Sequence, residues 1–224
     1  MPNLRTAIVF DLDGTLVDTA PDLLASLNAV LARAGHRPVV PSQLRHLVGH
    51  GVRFLFERAF AETGTAVPHD RLEELGNQFL DYYRANIARG SQPFKGVPET
   101  LAELARAGYG LGVCTNKPHD LTELLLAELD LAKYFPAVFG AGKAPYNKPD
   151  PRHVTDVITA LRGTRERAVM VGDSPVDVAA ARAAGIPVIA MSYGYTPVPV
   201  PELGADAIAD DFTDLPALIS GLLG

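Results

Sequence analysis

From Gly96 to the C-terminus, short apolar runs alternate with segments at helical spacing, and few folds accommodate that order. The runs are Leu111-Gly112-Val113-Cys114, Ala137-Val138-Phe139, Ala168-Val169-Met170-Val171 and Pro187-Val188-Ile189-Ala190. None has a polar break, which reads as a strand buried on both faces. Helices are predicted between them. One opens at Pro98, carries Leu101, Leu104 and Ala105 and closes at Gly108; the others run Leu121 to Leu131, Arg152 to Leu161, Pro175 to Ala184 and Asp214 to Leu222. This alternation predicts an α/β fold, a doubly wound, Rossmann-like parallel sheet with right-handed crossovers and helices on both faces. A further apolar run, Ala7-Ile8-Val9-Phe10, adds a strand near the start, and Pro-rich Thr196 to Pro201 reads as a surface loop.

Between that first strand and Gly96 the pattern changes. Pro21 suits a first helical turn, and Leu23, Leu27, Val30 and Leu31 share a face before Gly35. Further helices are predicted around Ser42 to Leu47, Val52 to Ala61 and Arg71 to Ala88, the last with Leu72, Leu75, Phe79 and Tyr82 at helical spacing. No strand is predicted between Thr19 and Arg89. A helical block of about seventy residues is large enough for a small domain. The breakers of Gly90-Ser91-Gln92-Pro93-Phe94-Lys95-Gly96 read as a linker on its far side, and Asp13 to Thr19 as the near one. The expected organisation is therefore an α/β core of residues 1–17 and 90–224 with an inserted α-helical cap domain of residues 18–89, a candidate lid.

Composition narrows the function. With 47% hydrophobic and 21% charged residues and a net charge of −6, the chain has an ordinary globular balance. The acidic surplus, with no basic run, argues against nucleic acid or an anionic membrane as partner. Six scattered His and a lone cysteine, Cys114, offer neither a zinc site nor a disulfide framework. No apolar run approaches the ~18 residues of a membrane span, and no signal-type region precedes the first strand. A cytoplasmic protein, monomer or homodimer, is expected.

The first strand runs into Asp11-Leu12-Asp13-Gly14-Thr15-Leu16, so two carboxylates stand at a strand's C-terminal end, the edge where open α/β sheets bind ligands. Two residues apart, both side chains can lean to one face, where their repulsion calls for a cation, most simply Mg²⁺. A polar turn is the plainer reading of this stretch alone. Two later strands also end in polar residues, Thr115-Asn116-Lys117 and Gly172-Asp173-Ser174-Pro175-Val176-Asp177, and the prolines of Asn147-Lys148-Pro149-Asp150-Pro151 fix a loop presenting Lys148. Singly, Thr115 could cap a helix, Lys148 could be solvated, and Ser174 to Asp177 fits a capping box. Together they make the ingredients of phosphoryl transfer: a carboxylate nucleophile, a second carboxyl for proton transfer, a hydroxyl and an ammonium for phosphoryl oxygens, and an acid for a metal.

With these motifs in this order, the chain resembles the haloacid dehalogenase superfamily in its phosphatase branch. That family's DxDGT[LV] motif is matched by Asp11 to Leu16, and its apolar strand ending in Thr or Ser by Leu111 to Thr115. K-P-x-P is matched by Lys148 to Pro151, and G-D-x-x-x-D by Gly172 to Asp177. The helical insertion sits where the family places its cap. The resemblance implies that Asp11 attacks phosphorus to form an aspartyl phosphate, and that Asp13 protonates the leaving oxygen and then activates water. It implies Mg²⁺ held by Asp11, the backbone carbonyl of Asp13 and Asp173. Thr115 and Asn116 would bind the phosphoryl group, Lys148 would offset its charge, and Asp177 would support Lys148 or metal-bound water. Halide displacement needs no second acid, whereas an alkoxide leaving group profits from one, so Asp13 favours ester hydrolysis.

Leu16 to Leu23, Val48 to Val52, Pro93 to Val97 and Ser192 to Tyr195 are most similar to members that hydrolyse 2-phosphoglycolate, a small phosphorylated metabolite. β-Phosphoglucomutase, pyrophosphatases and nucleotide phosphatases share parts of them. Gly49-His50-Gly51 leads into a helix whose free N–H groups make an anion site, with Arg53 in its first turn; a small carboxylate attached to a phosphate would suit it. His50 stands where such members usually carry a small polar residue. The alternative is a tight turn beside a solvated Arg53. A receiver-type signalling module also uses an aspartyl phosphate, Mg²⁺, Thr or Ser and Lys, but lacks an inserted helical domain and carries its acidic pair on an earlier strand. A phosphatase-like binding protein would be expected to miss a catalytic position, and none is missing.

Overall fold

The computed structural model describes residues 5–44, 52–63 and 69–224. Gly49, His50 and Gly51 lie outside the described residues, and of Arg53 only the backbone is described.

The core is a six-stranded sheet formed by β1 (Ala7–Phe10), β4 (Gly110–Pro118), β5 (Ala137–Ala141), β6 (Ala168–Gly172), β7 (Val188–Met191) and β8 (Ala207–Ala209). Its order is β5-β4-β1-β6-β7-β8, and every neighbouring pair is parallel. The unbroken apolar runs explain the layering. Along β1, Ile8 and Phe10 face one core and Ala7 and Val9 the other, as strand alternation requires. On the first face Ile8 and Phe10 pack with Leu101 and Leu104 of α5 (Val97–Arg106), Leu121 and Leu125 of α6 (His119–Glu128) and Leu215 and Ile219 of α9 (Leu215–Leu223). On the second, Ala7 and Val9 pack with Val154 and Val157 of α7 (Pro151–Ala160) and Val178 and Ala181 of α8 (Pro175–Ala184). This is the expected α/β architecture with helices on both faces.

Two features depart from the expected pattern. Val17–Asp18 (β2) and Gln92–Pro93 (β3) form a small antiparallel ribbon, so both stretches read as linkers are tied to each other. β8 adds a sixth strand that the sequence pattern does not announce. Between β2 and β3 the regular elements among the described residues are helices: α1 (Ala20–Arg33), α2 (Pro41–Leu44), α3 (Val52–Thr63) and α4 (His69–Ala85). Leu27 and Leu31 of α1, Phe56 and Phe60 of α3, and Leu75, Phe79 and Tyr83 of α4 are buried together, with Phe56 and Phe79 edge-to-face at 5.7 Å. The Asp22 carboxylate, in the first turn of α1, accepts from the backbone N–H groups of Gly90 and Ser91 and from the Ser91 hydroxyl at 2.7–3.0 Å. The chain's exit from the helical block is thereby fastened to its entry. Among the described residues, no helix is long and apolar enough to cross a membrane.

Candidate active site

Strand register brings the polar residues together. Phe10 aligns with Val113 on one side and Val171 on the other, so Asp11, Thr115 and Asp173 all emerge just beyond the same edge of the sheet. Asp11 continues the strand path, donating its N–H to the Val171 carbonyl at 2.9 Å. The chain then turns sharply at Gly14, whose φ of +84° favours glycine and where a Cβ would lie 2.5 Å from Asp173 Oδ2. From the other side Gly194 packs as closely: a Cβ there would stand 2.1 Å from the Asp173 Cβ. Two glycines thus give Asp173 its space.

Asp11, Asp173 and Asp177 offer carboxylate oxygens within 4.8 Å of one another, all buried. Asp173 Oδ1 accepts from the Thr15 hydroxyl at 2.7 Å and Oδ2 from the Tyr195 N–H at 2.7 Å. Burial pushes its carboxyl well above the usual range, and the nearby Asp177 and Asp11 add to the rise. Burial likewise lifts Asp11 to about 6, with Lys148 pulling against the shift. Such a cluster of hard oxygen donors, with the charged forms of Asp11 and Asp173 disfavoured, fits a divalent cation. Asp177 is differently committed. Its Oδ2 accepts from the N–H groups of Asp173 and Ser174 and the Ser174 hydroxyl, completing the capping box of α8, while Oδ1 receives Lys148 Nζ at 2.6 Å. The capping and functional readings of Asp177 are therefore compatible.

Lys148 Nζ also lies 2.9 Å from Asp11 Oδ1. Burial opposes its charge, but Asp11 and Asp177 outweigh that and raise its pKa. The loop carrying it is held by Asn116, whose Nδ2 donates to the Lys148 carbonyl at 3.0 Å. Thr115 is buried beside Asn116 on β4, which continues through Pro118, and α6 begins without a side-chain cap; Thr115 is not that helix's cap.

Asp13 has a lysine of its own, a functional residue not evident from the sequence motifs. Lys117 Nζ approaches Asp13 Oδ1 at 3.0 Å and Oδ2 at 3.3 Å, and donates to the Tyr83 hydroxyl of α4 at 2.7 Å. Its charge is disfavoured by burial yet held by Asp13 and Tyr83, so its pKa rises; burial pushes the Tyr83 phenol up to about 12. The available signal was the two-residue spacing from Thr115, which puts both side chains on the same side of an extended strand. The two carboxyls of the first motif thus face separate lysines, one within the acidic cluster and one beside the helical block.

A parallel α/β sheet whose edge gathers these acids, two lysines and a threonine defines a phosphoryl-transfer class of site. The family described as haloacid dehalogenase-like hydrolase matches residues 8–191, and the chain belongs to it. A protein of Caulobacter vibrioides named phosphoglycolate phosphatase is 47% identical over 96% of this chain and 91% of its own length. One of the same name from Agrobacterium fabrum is 45% identical over 98% and 95%. A crystal structure described as a predicted phosphoglycolate phosphatase from Haemophilus somnus superposes with a TM-score of 0.90 at 30% identity, covering 97% of this chain and 99% of that one. The chain is accordingly a phosphatase.

Proposed function

We propose that this phosphatase is Mg²⁺-dependent, works through an aspartyl phosphate on Asp11, and hydrolyses 2-phosphoglycolate to glycolate and phosphate. The observation carrying the mechanism is the division of the two strand-tip carboxyls between Lys148 and Lys117. Asp11 lies inside the acidic cluster beside Lys148, and Asp13 outside it beside Lys117. Asp11, beside Lys148 and the acidic cluster, attacks phosphorus as the ester P–O bond breaks. Asp13, which takes up a proton from solvent before this step, gives it to the departing oxygen, then takes one from the water that attacks the phosphorus of the aspartyl phosphate and frees Asp11. Thr115 and Asn116 hold phosphoryl oxygens. Lys148, steadied by Asp177, offsets their charge. Asp11, Asp173 and the Asp13 carbonyl would hold Mg²⁺, which when bound offsets the repulsion between a phosphate dianion and a carboxylate nucleophile. Residues 18–89 act as a lid. The substrate rests on the names of the relatives and on the anion-binding pattern of Gly49-His50-Gly51 and Arg53. The lone buried cysteine, which offers no disulfide framework, fits a cytoplasmic setting.

Chelation with EDTA is expected to stop turnover and added Mg²⁺ to restore it; full activity in metal-free buffer would refute the metal's part. Screening phosphorylated acids, sugars and nucleotides tests the substrate, and a sugar phosphate or nucleotide preferred over 2-phosphoglycolate would replace it. Arg53→Ala is expected to lower kcat/KM for 2-phosphoglycolate by about 1.5–3 kcal/mol, the range for a charge-assisted hydrogen bond, and to leave p-nitrophenyl phosphate nearly unchanged. Equal losses would make Arg53 a structural residue of the lid.

A further inference from the structure

Lys117 is a buried cation to which the phosphoryl chemistry above gives no step of its own. Its side chain is 3% exposed, and that of Asp13 is 13% exposed, so what opening the pair has lies on the Asp13 side. A buried ammonium on a core strand requires compensation, supplied here by Asp13, by the Tyr83 hydroxyl and by the face of the Tyr83 ring 4.5 Å away. Asp13 is also the carboxyl assigned to the leaving oxygen. A leaving group that meets Asp13 must therefore enter within reach of Lys117 Nζ.

From this juxtaposition we infer that Lys117 determines specificity: on substrate entry it exchanges its contact with Asp13 for the carboxylate of the leaving group. The inference rests on the phosphoglycolate reading and deepens it. In 2-phosphoglycolate a single carbon separates the bridging oxygen from the carboxylate. A bridging oxygen hydrogen-bonded to Asp13 then carries a carboxylate about one hydrogen bond further on, the separation at which Lys117 Nζ already stands from Asp13. The exchange swaps one carboxylate partner for another, so the buried ammonium stays compensated throughout. Tyr83 keeps its hold on Nζ from α4, which makes the carboxylate subsite a joint product of the sheet and the helical block.

The test compares 2-phosphoglycolate with ethyl phosphate, which keeps the leaving oxygen and its first carbon but lacks the carboxylate. In Lys117→Met, kcat/KM for 2-phosphoglycolate is expected to fall about ten- to a hundredfold more than for ethyl phosphate, mainly through KM, as loss of a charge-assisted hydrogen bond predicts. Lys117→Arg is expected to recover part of the discrimination. Tyr83→Phe, which leaves Asp13 and Lys117 in place, is expected to raise KM for 2-phosphoglycolate selectively and more mildly, and it carries the test should Lys117→Met fail to fold. Equal losses on both substrates, or none, would overturn the inference and leave Lys117 as a support for Asp13. A wild-type enzyme indifferent between the two esters would instead overturn the phosphoglycolate reading itself.

Discussion

Asp11→Asn is expected to abolish turnover and leave the fold intact. The amide cannot attack phosphorus, and it weakens one arm of the acidic cluster, so both the covalent route and the cation are affected. The fold should tolerate the change for reasons visible in the site. The Leu12 N–H, which donates to Asp11 Oδ1 at 2.7 Å, finds an acceptor equally well in an asparagine oxygen. Lys148 keeps its 2.6 Å contact with Asp177. Burial disfavours the Asp11 carboxylate, and Asp177 and Asp13 add repulsion, so a neutral group relieves charge in metal-free protein. The thermal midpoint in EDTA should therefore hold or rise while kcat drops below about a hundredth of wild type, the least that losing a covalent route should cost. Activity above that level would remove Asp11 as nucleophile; a collapsed midpoint would show that its pairing with Lys148 is structural.

The strand edges were legible because burial on both faces leaves unbroken apolar runs, and these end where the chain meets solvent or ligand. That logic recovers β1, β6 and β7 closely. It misjudges β4, which runs on through Thr115, Asn116, Lys117 and Pro118 because pairing resumes between Pro118 and Ala141 beyond a register irregularity. Polar residues and a proline inside a strand have no hydrophobic period, so the sequence reads as ending at Cys114. The β2–β3 ribbon has two residues per strand, too few for any alternation, and each half looks like turn material until the other is placed beside it. Lys117 was obscure for a related reason. Its two partners lie 104 and 34 residues away in the chain, so beyond its two-residue spacing from Thr115 nothing local separates it from a solvated lysine. Lys148 was easier, since flanking prolines mark its loop as rigid.

The same separation of partners shapes what Asp13→Asn should do. An amide keeps an oxygen for Lys117 Nζ, so the contact that joins β4 to α4 through Tyr83 survives in weaker form, and the protein should remain folded. What is lost is proton transfer. For 2-phosphoglycolate, whose leaving alkoxide is strongly basic, both the cleavage of the ester and the hydrolysis of the aspartyl phosphate should slow, lowering kcat by about 10²–10⁴-fold. With p-nitrophenyl phosphate the leaving group departs readily without a proton, so only the second step should suffer. The aspartyl phosphate should then accumulate, and rapid mixing should reveal a stoichiometric burst of p-nitrophenolate followed by a slow steady state. Slow turnover of both esters without a burst would mean that Asn at this position obstructs formation of the intermediate, leaving Asp13 a site-shaping residue. Undiminished turnover of 2-phosphoglycolate would transfer the acid–base role to another group.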